Sequence, residues 1–233
     1  MSRIGPLDAS DIFVYVIWLA WTCLSLTDTK WRNPVFTMVF ATEALLQQYI
    51  SDGLLTFAPS LLDIIQGSAP SSLAYFKSLP TYVNKCWAIY LLIFEKPSSR
   101  PRIYVSSGTN SVKGVDNQLQ DYDRKANVPR YVQQAFDDGY TITHKGLLCW
   151  ASIPDVTIRF PVRVLFVLLT AIFSVVFWAM KSQEKDYGMP RLSPWKAKDI
   201  AWDGCCSHRP YSKPLLERTK VLPLRKSLPS QSN

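Results

Sequence analysis

The sequence predicts a mainly α-helical integral membrane protein, and two segments carry that prediction. Residues 160–180 form an apolar run in which Arg163 is the single charged residue. A helix of that length spans roughly 30 Å, the thickness of the hydrocarbon core of a bilayer. The stretch 182–233 is basic and rich in proline, a composition that cannot build a core of its own. We therefore expect a main transmembrane helix at 160–181, a second one near the N-terminus, amphipathic peripheral helices and an extended tail.

Changes in composition divide the chain into four expected regions. They are an N-terminal apolar helical region at 1–96, a polar linker at 97–128, a helical region with the main transmembrane helix at 129–181, and a basic extended tail at 182–233.

The second transmembrane helix is expected at 11–27. Ser10 and Asp11 supply an N-cap before the apolar run 12–26. That run is roughly 22 Å long as a helix. It is short for a span, so it would thin the bilayer or pack among partner helices. The alternative is a buried helix of a soluble protein.

Peripheral helices are expected at 35–50, 54–66, 81–95 and 129–140. The apolar residues of 35–50 recur near helical spacing, and glutamines interrupt them, which indicates an amphipathic helix. If that helix crossed the bilayer, Glu43 would be an intramembrane carboxylate, a group that often has a function in transport. The segment 82–94 fits either a helix or a strand.

The chain carries a formal net charge of +8, and the excess lies in its second half. Residues 181–233 hold eleven Lys and Arg against five Asp and Glu. Basic residues at the ends of a transmembrane helix reach lipid headgroups, so we predict Arg159, Arg163 and Lys181 as headgroup contacts. The basic residues form no helical stripe, and no nucleic-acid motif accompanies them, so nucleic acid is not an expected partner.

The titratable and nucleophilic residues predict no catalytic or metal site. Cys205 and Cys206 lie near His208, but no fourth ligand is close in sequence, which favours ordinary reduced thiols over a metal site. His144 is the only other histidine. We therefore expect no enzyme activity, no metal and no cofactor, with a bound phospholipid such as cardiolipin as the candidate ligand.

The tail predicts contact with a partner. A proline-rich polar segment gains order by lying on another surface, and buried aromatic residues dominate the energy of such interfaces. We predict Trp195, Trp202 and Tyr211 as the anchors.

Residues 131–160 resemble the mitochondrial fission process protein family. The segment 135–140 (AFDDGY) is similar to that family's Ala-aromatic/aliphatic-Asp-x-Gly segment. The segment 151–154 (ASIP), followed by Thr157-Ile158, is similar to its Ala-Ser-x-x-Ile-Pro-x-x-Thr-Ile segment, and an apolar helix follows in both. The resemblance implies a protein of the mitochondrial inner membrane.

These observations lead to one main functional hypothesis. The chain is expected to be a non-catalytic accessory subunit of a large mitochondrial inner-membrane complex, such as a respiratory-chain complex or the ATP synthase. It would act by packing its helices and tail on core subunits and lipid. The alternatives are a free-standing inner-membrane morphology or fission factor, and a small transporter or channel component that uses Glu43.

Overall fold

A five-stranded sheet with helices packed on it forms the centre of the molecule. The computed structural model describes residues 11–26, 33–51, 54–181 and 192–206. Its fold is mixed α/β, with 44% helix and 21% strand. The prediction of a mainly helical membrane protein is therefore wrong, because the apolar segments pack on one another as a sheet and its covering helices.

The helices are α1 (Ile12–Leu26), α2 (Pro34–Val39), α3 (Glu43–Ser51), α4 (Leu61–Gln66), α5 (Leu73–Ser78), α6 (Asp116–Asp123), α7 (Arg130–Asp137) and α8 (Arg159–Val176), with a short 3-10 helix at Ala197–Asp199. The strands are β1 (Thr56–Phe57), β2 (Cys86–Glu95), β3 (Arg102–Gly108), β4 (Thr141–Ser152) and β5 (Asp203–Gly204).

The strand order in the sheet is β1-β4-β2-β3-β5. The three long strands pair antiparallel, with Cys86 opposite Ser152 and Ala88 opposite Gly108. β5 adds parallel to β3 after the chain has passed through α8. The end of β4, the start of β2 and the end of β3 therefore lie at one end of the sheet.

β2 occupies the centre of the sheet, where a helix was expected at 81–95. Its residues from Cys86 to Phe94 are all buried. Trp87 contacts Phe166 of α8, whereas Phe94 contacts Phe136 of α7. A strand covered on both faces is a continuous apolar run, and periodicity alone cannot separate such a run from a buried helix.

α8 is the core helix of this fold. Among the described residues it is the one helix long and apolar enough to cross a membrane, and 72% of it is buried inside the protein. It packs on β2 and β3, which present apolar side chains to it. The segment predicted at 160–181 is thus helical as far as Val176, and most of that helix is buried within the fold.

α1 has the same environment. Its buried residues include Val16, Leu19, Ala20 and Cys23. It packs against α3, α4 and α8. The segment predicted at 11–27 is thus a helix whose inner face is buried in the fold; whether it belongs to a membrane or a soluble protein stays a prediction.

The remaining elements differ from expectation in their type or bounds. The segment 97–128, expected to be a linker, contains β3 and α6, and 54–66 contains β1 and α4. The helix expected at 35–50 is divided near Phe40, where α2 ends. Glu43 is exposed in the first turn of α3, and its place in a transporter stays a prediction. The helix expected at 129–140 is confirmed as α7.

Candidate functional site

Exposed apolar side chains gather at one end of the sheet. Five of the eight large hydrophobic residues that are exposed in the described part of the chain lie at this end, four on loops and one in the first turn of α8. They are between 40% and 75% exposed. We call this surface the tip, and its apolar members are Tyr82, Val112, Val156, Ile158 and Phe160.

Three loops meet at the tip because of the strand register. Residues 80–85 precede Cys86, and residues 153–158 follow Ser152, its partner in the antiparallel pair. The loop 109–115 joins them, since the amide of Val115 donates to the carbonyl of Cys86 at 2.8 Å. Residues far apart in sequence thus form one surface.

The loop 109–115 is a fixed turn that presents Val112 and Lys113 to solvent. The Asn110 side-chain oxygen accepts hydrogen bonds from the amides of both residues, each at 2.9 Å. Gly114 has φ +60, and a Cβ there would overlap the backbone carbonyl of Cys86. Only glycine adopts that conformation at that approach without strain, so the glycine sets the position of the turn.

Arg159 and Arg163 tie the other side of the tip together. The Arg159 guanidinium donates to the carbonyl of Pro154 at 3.3 Å and so closes the turn that carries Val156. The Arg163 guanidinium donates to the carbonyl of Thr109 at 3.3 Å and lies over the Trp87 ring, 5.6 Å from its centroid. Both cations are held within the tip by contacts to backbone and ring.

The charge at the tip is positive. Lys85 and Lys113 are exposed, and Arg159 and Arg163 are half-buried. In the described loops of the tip and the residues next to them, the carboxylates are those of the exposed Asp155 and the half-buried Asp116. Asp116 and burial together raise the pKa of the Cys86 thiol to about 11, with burial the larger cause, so that thiol is protonated at neutral pH. The tip therefore combines exposed apolar groups with an excess of two positive charges.

The predicted headgroup contacts do not form one surface. Arg159 and Arg163 belong to the tip, at the start of α8. Lys181 follows the other end of that helix, which is about 27 Å long. There Lys181 lies over the Tyr131 ring, 4.3 Å from its centroid.

The predicted partner anchors lie inside the chain's own packing or outside the described residues. Trp195 and Trp202 are buried. The Trp195 indole donates to the carbonyl of Gly67 at 3.0 Å, and the Trp202 indole donates to the carbonyl of Phe177 at 2.9 Å. These contacts hold residues 192–206 on the domain. Tyr211 and His208 lie outside the described residues.

A cluster of polar side chains is buried between β2, β3 and α6. The hydroxyls of Tyr90 and Tyr122 are 2.9 Å apart, and the Tyr104 ring packs on Tyr122. The Cys206 thiol lies nearby and accepts from the amide of Val105 at 3.2 Å. Burial raises the pKa of all three phenols well above the usual range, so they stay protonated and act as hydrogen-bonding core residues.

The cysteines are free thiols in buried positions. Within residues 11–26, 33–51, 54–181 and 192–206, no group of three or more His, Cys, Asp and Glu is placed to hold a metal ion.

Sequence reasoning found the two arginines of the tip and missed its apolar residues. Val112 and Tyr82 are single hydrophobic residues in polar loops, and such residues carry no signal until the strand register joins them. The signal at 156–160 was present: apolar residues alternate with polar ones between Pro154 and Pro161, where no regular element fits.

Comparison with known proteins gives no relative. No family model, no curated protein and no solved structure matches this chain.

Proposed function

We propose that this protein attaches peripherally to an anionic membrane surface through the tip and has a non-catalytic role there. One observation carries the proposal: most of the exposed large hydrophobic residues of the described chain lie at a single end of the sheet, where Lys85, Lys113, Arg159 and Arg163 also lie. An interfacial protein combines these two features, since apolar groups enter the acyl boundary while Lys and Arg contact headgroups.

The energetics favour this mode of binding. Fully burying an aliphatic or aromatic side chain stabilises by about 1.5–3 kcal/mol. A basic residue near an anionic leaflet contributes about 1 kcal/mol. The tip offers Val112 and Val156 on fixed turns, so little loop entropy is lost on insertion, and Lys113 is placed beside them to meet a headgroup.

The membrane we propose is the mitochondrial inner membrane, with cardiolipin as the anionic lipid. The resemblance of residues 131–160 supports that location, and the positive tip supports the lipid. An accessory subunit would instead press the same surface against a protein. Charge complementarity favours anionic lipid, because the four cations of the tip outnumber its two carboxylates.

Binding to vesicles tests the proposal. The full chain is mixed with phosphatidylcholine vesicles, alone or containing cardiolipin or phosphatidylserine, and the bound fraction is measured by flotation. We expect binding to both anionic mixtures, weak binding to phosphatidylcholine alone, and release by salt. Val156→Asp removes an exposed apolar group and should weaken binding about tenfold.

Met38→Asp is the matched control, because Met38 is 78% exposed on α2, outside the tip. It should bind vesicles as the unmodified chain does. Equal loss in both variants, equal binding to neutral and anionic vesicles, or no vesicle binding would each overturn the proposal. Stable co-migration with a membrane complex after lipid removal, lost in Val156→Asp, would assign the tip to a protein partner instead.

A further inference from the structure

A cleft of about 560 Å³ opens beside β5, away from the tip. Its wall includes the cations Arg100, Arg102 and Lys181, and the single carboxylate Asp203. The wall therefore has an excess of two positive charges. It is built from α7, the start of β3, the chain after α8, and β5.

Two of these cations are fixed by neighbours. The Arg100 side chain is 3.2 Å from the Asp203 carboxylate and donates to the carbonyls of Ile200 and Trp202. Arg102 is 2.7 Å from the Asp138 carboxylate, which lies outside the cleft wall, and its guanidinium lies over the Tyr140 ring.

Lys181 differs from both arginines. Its ammonium lies 4.3 Å from the centroid of the Tyr131 ring and 3.4 Å from the side-chain oxygen of Gln134. Among the described residues no carboxylate pairs with it. Lys181 is thus an exposed cation that an aromatic ring holds in the cleft wall.

Cys205 lies in the cleft wall, between its charged groups. Its amide donates to the carbonyl of Ile103 at 2.8 Å, which fixes this part of the wall on β3. Burial raises the pKa of the Cys205 thiol to about 12, Cys206 and Asp203 add to the rise, and Arg102 and Lys181 oppose it. The thiol is therefore protonated at neutral pH.

Apolar groups complete the cleft. Trp178, Met180 and Ile200 line it next to the cations. Trp178 has φ +52, in the left-handed region that usually needs glycine. Its indole donates to the carbonyl of Trp195 at 3.2 Å, which holds the ring in the wall. Trp178 follows the C-terminal end of α8, where a left-handed residue commonly ends a helix, and this geometry turns its side chain into the cleft wall.

We infer that this cleft binds a small organic anion, a phosphate or carboxylate group attached to a flat apolar body. The anion lies between Lys181 and Arg102, and the apolar body lies against Trp178 and Ile200. The cavity volume falls within the range of small-molecule sites, about 300–1,000 Å³.

Titration calorimetry of the full chain tests the inference with four probes: 1-naphthyl phosphate, 1-naphthoate, 1-naphthol and inorganic phosphate. We expect the two aromatic anions to bind, and 1-naphthol and inorganic phosphate to bind at least about tenfold more weakly. Lys181→Met should weaken binding of the aromatic anions about tenfold.

Lys198→Met is the matched control, because Lys198 is an exposed cation of the nearby 3-10 helix outside the cleft wall. It should leave affinity unchanged. Binding of 1-naphthol as tight as that of 1-naphthyl phosphate would overturn the inference, as would equal affinity in Lys181→Met. Binding of inorganic phosphate as tight as the aromatic anions would overturn the apolar part of the site. The cleft and the tip are separable, since Val156→Asp should not change naphthyl phosphate binding and Lys181→Met should not change vesicle binding.

Discussion

His144 lies on β4 opposite Ile93, and its ring Nε2 is buried without a hydrogen-bond partner among the residues that the structure describes. Burial lowers the pKa of this imidazole, the charge of Lys77 lowers it further, and a hydrogen bond with the backbone of Leu79 opposes both. The fold therefore favours the neutral ring.

This lowered pKa predicts a loss of stability in acid. Above the ordinary pKa of about 6.5 both folded and unfolded states hold a neutral ring. As the pH falls below that value, the unfolded state takes up a proton first, and the free energy of unfolding decreases until the folded ring titrates too. Thermal unfolding is measured at about pH 7.5 and about pH 5.5. The melting temperature should fall more between these two pH values in the unmodified chain than in His144→Gln.

An equal drop in both proteins would contradict this account of His144. The titration of Glu95 does not affect this comparison of the chain with His144→Gln. Hydrogen bonds from Lys77 and Thr143 lower the pKa of its carboxyl below the ordinary value, so its contribution is lost in more acidic solution.

At the level of single residues, the sequence could identify chemical types but not neighbours. Arg159 and Arg163 were predicted to face headgroups because of their place before an apolar helix. Gly114 gives no such signal, since its role depends on the carbonyl of Cys86, a residue of another element. In the sequence, Lys181 has the same property as the two arginines, a cation next to the apolar segment. In the structure it lies beyond the opposite end of α8.

The type of some helices and strands follows from their own residues, whereas the type of others depends on the elements that pack against them. α7 begins after Pro129 and could be placed from that residue alone. β2 could not, because its apolar run has the same pattern in a buried helix and in a strand covered on both faces. α8 was placed correctly as a helix, but length and hydropathy do not distinguish lipid from a protein core.

Two phenylalanines of α8 test the environment of this helix. Phe166 is fully buried and its ring meets Trp87 with centroids 5.9 Å apart, whereas Phe160 is 42% exposed. Phe166→Ala should lower the free energy of unfolding by about 3–5 kcal/mol. Phe160→Ala should change it by about 0.5 kcal/mol or less.

Denaturant unfolding of the two variants in the absence of lipid provides the measurement. Similar small losses in both would mean that α8 is not packed on the sheet. A large loss confined to Phe166→Ala would confirm a core helix, because the two substitutions remove the same atoms from one element.

The whole molecule is expected to behave as a peripheral membrane protein. Both apolar helices, α1 and α8, pack within the fold, which is the arrangement expected of a protein held at the membrane surface. Alkaline carbonate, which releases proteins held at the surface, should therefore extract the chain from isolated mitochondrial membranes.

Retention in the carbonate pellet would contradict peripheral attachment. Blue-native electrophoresis of gently solubilised membranes then tests the accessory-subunit hypothesis independently. Migration of the chain at low mass is the result expected for a protein bound to lipid. Migration with a large complex at constant stoichiometry would identify the chain as a subunit of that complex.

At the scale of the fold, composition predicted a mainly helical membrane protein. Composition gives the apolar content of a chain, but it does not say which apolar segments pack against each other. A central strand and a core helix each resemble a transmembrane segment when read alone. The sheet requires residues 86–95 to pair with residues 141–152. No short motif in this chain predicts that long-range contact.

The short strand β5 has a protective effect that its length does not suggest. Residues 203–206 run along β3, where the amide of Cys205 donates to the carbonyl of Ile103. Without them β3 would end the sheet with unpaired backbone groups and buried residues such as Val105 uncovered. Such an open edge recruits strands from other copies. A chain cut before Asp203 would thus gain a route to aggregation, because residues 203–206 cover this edge of the sheet.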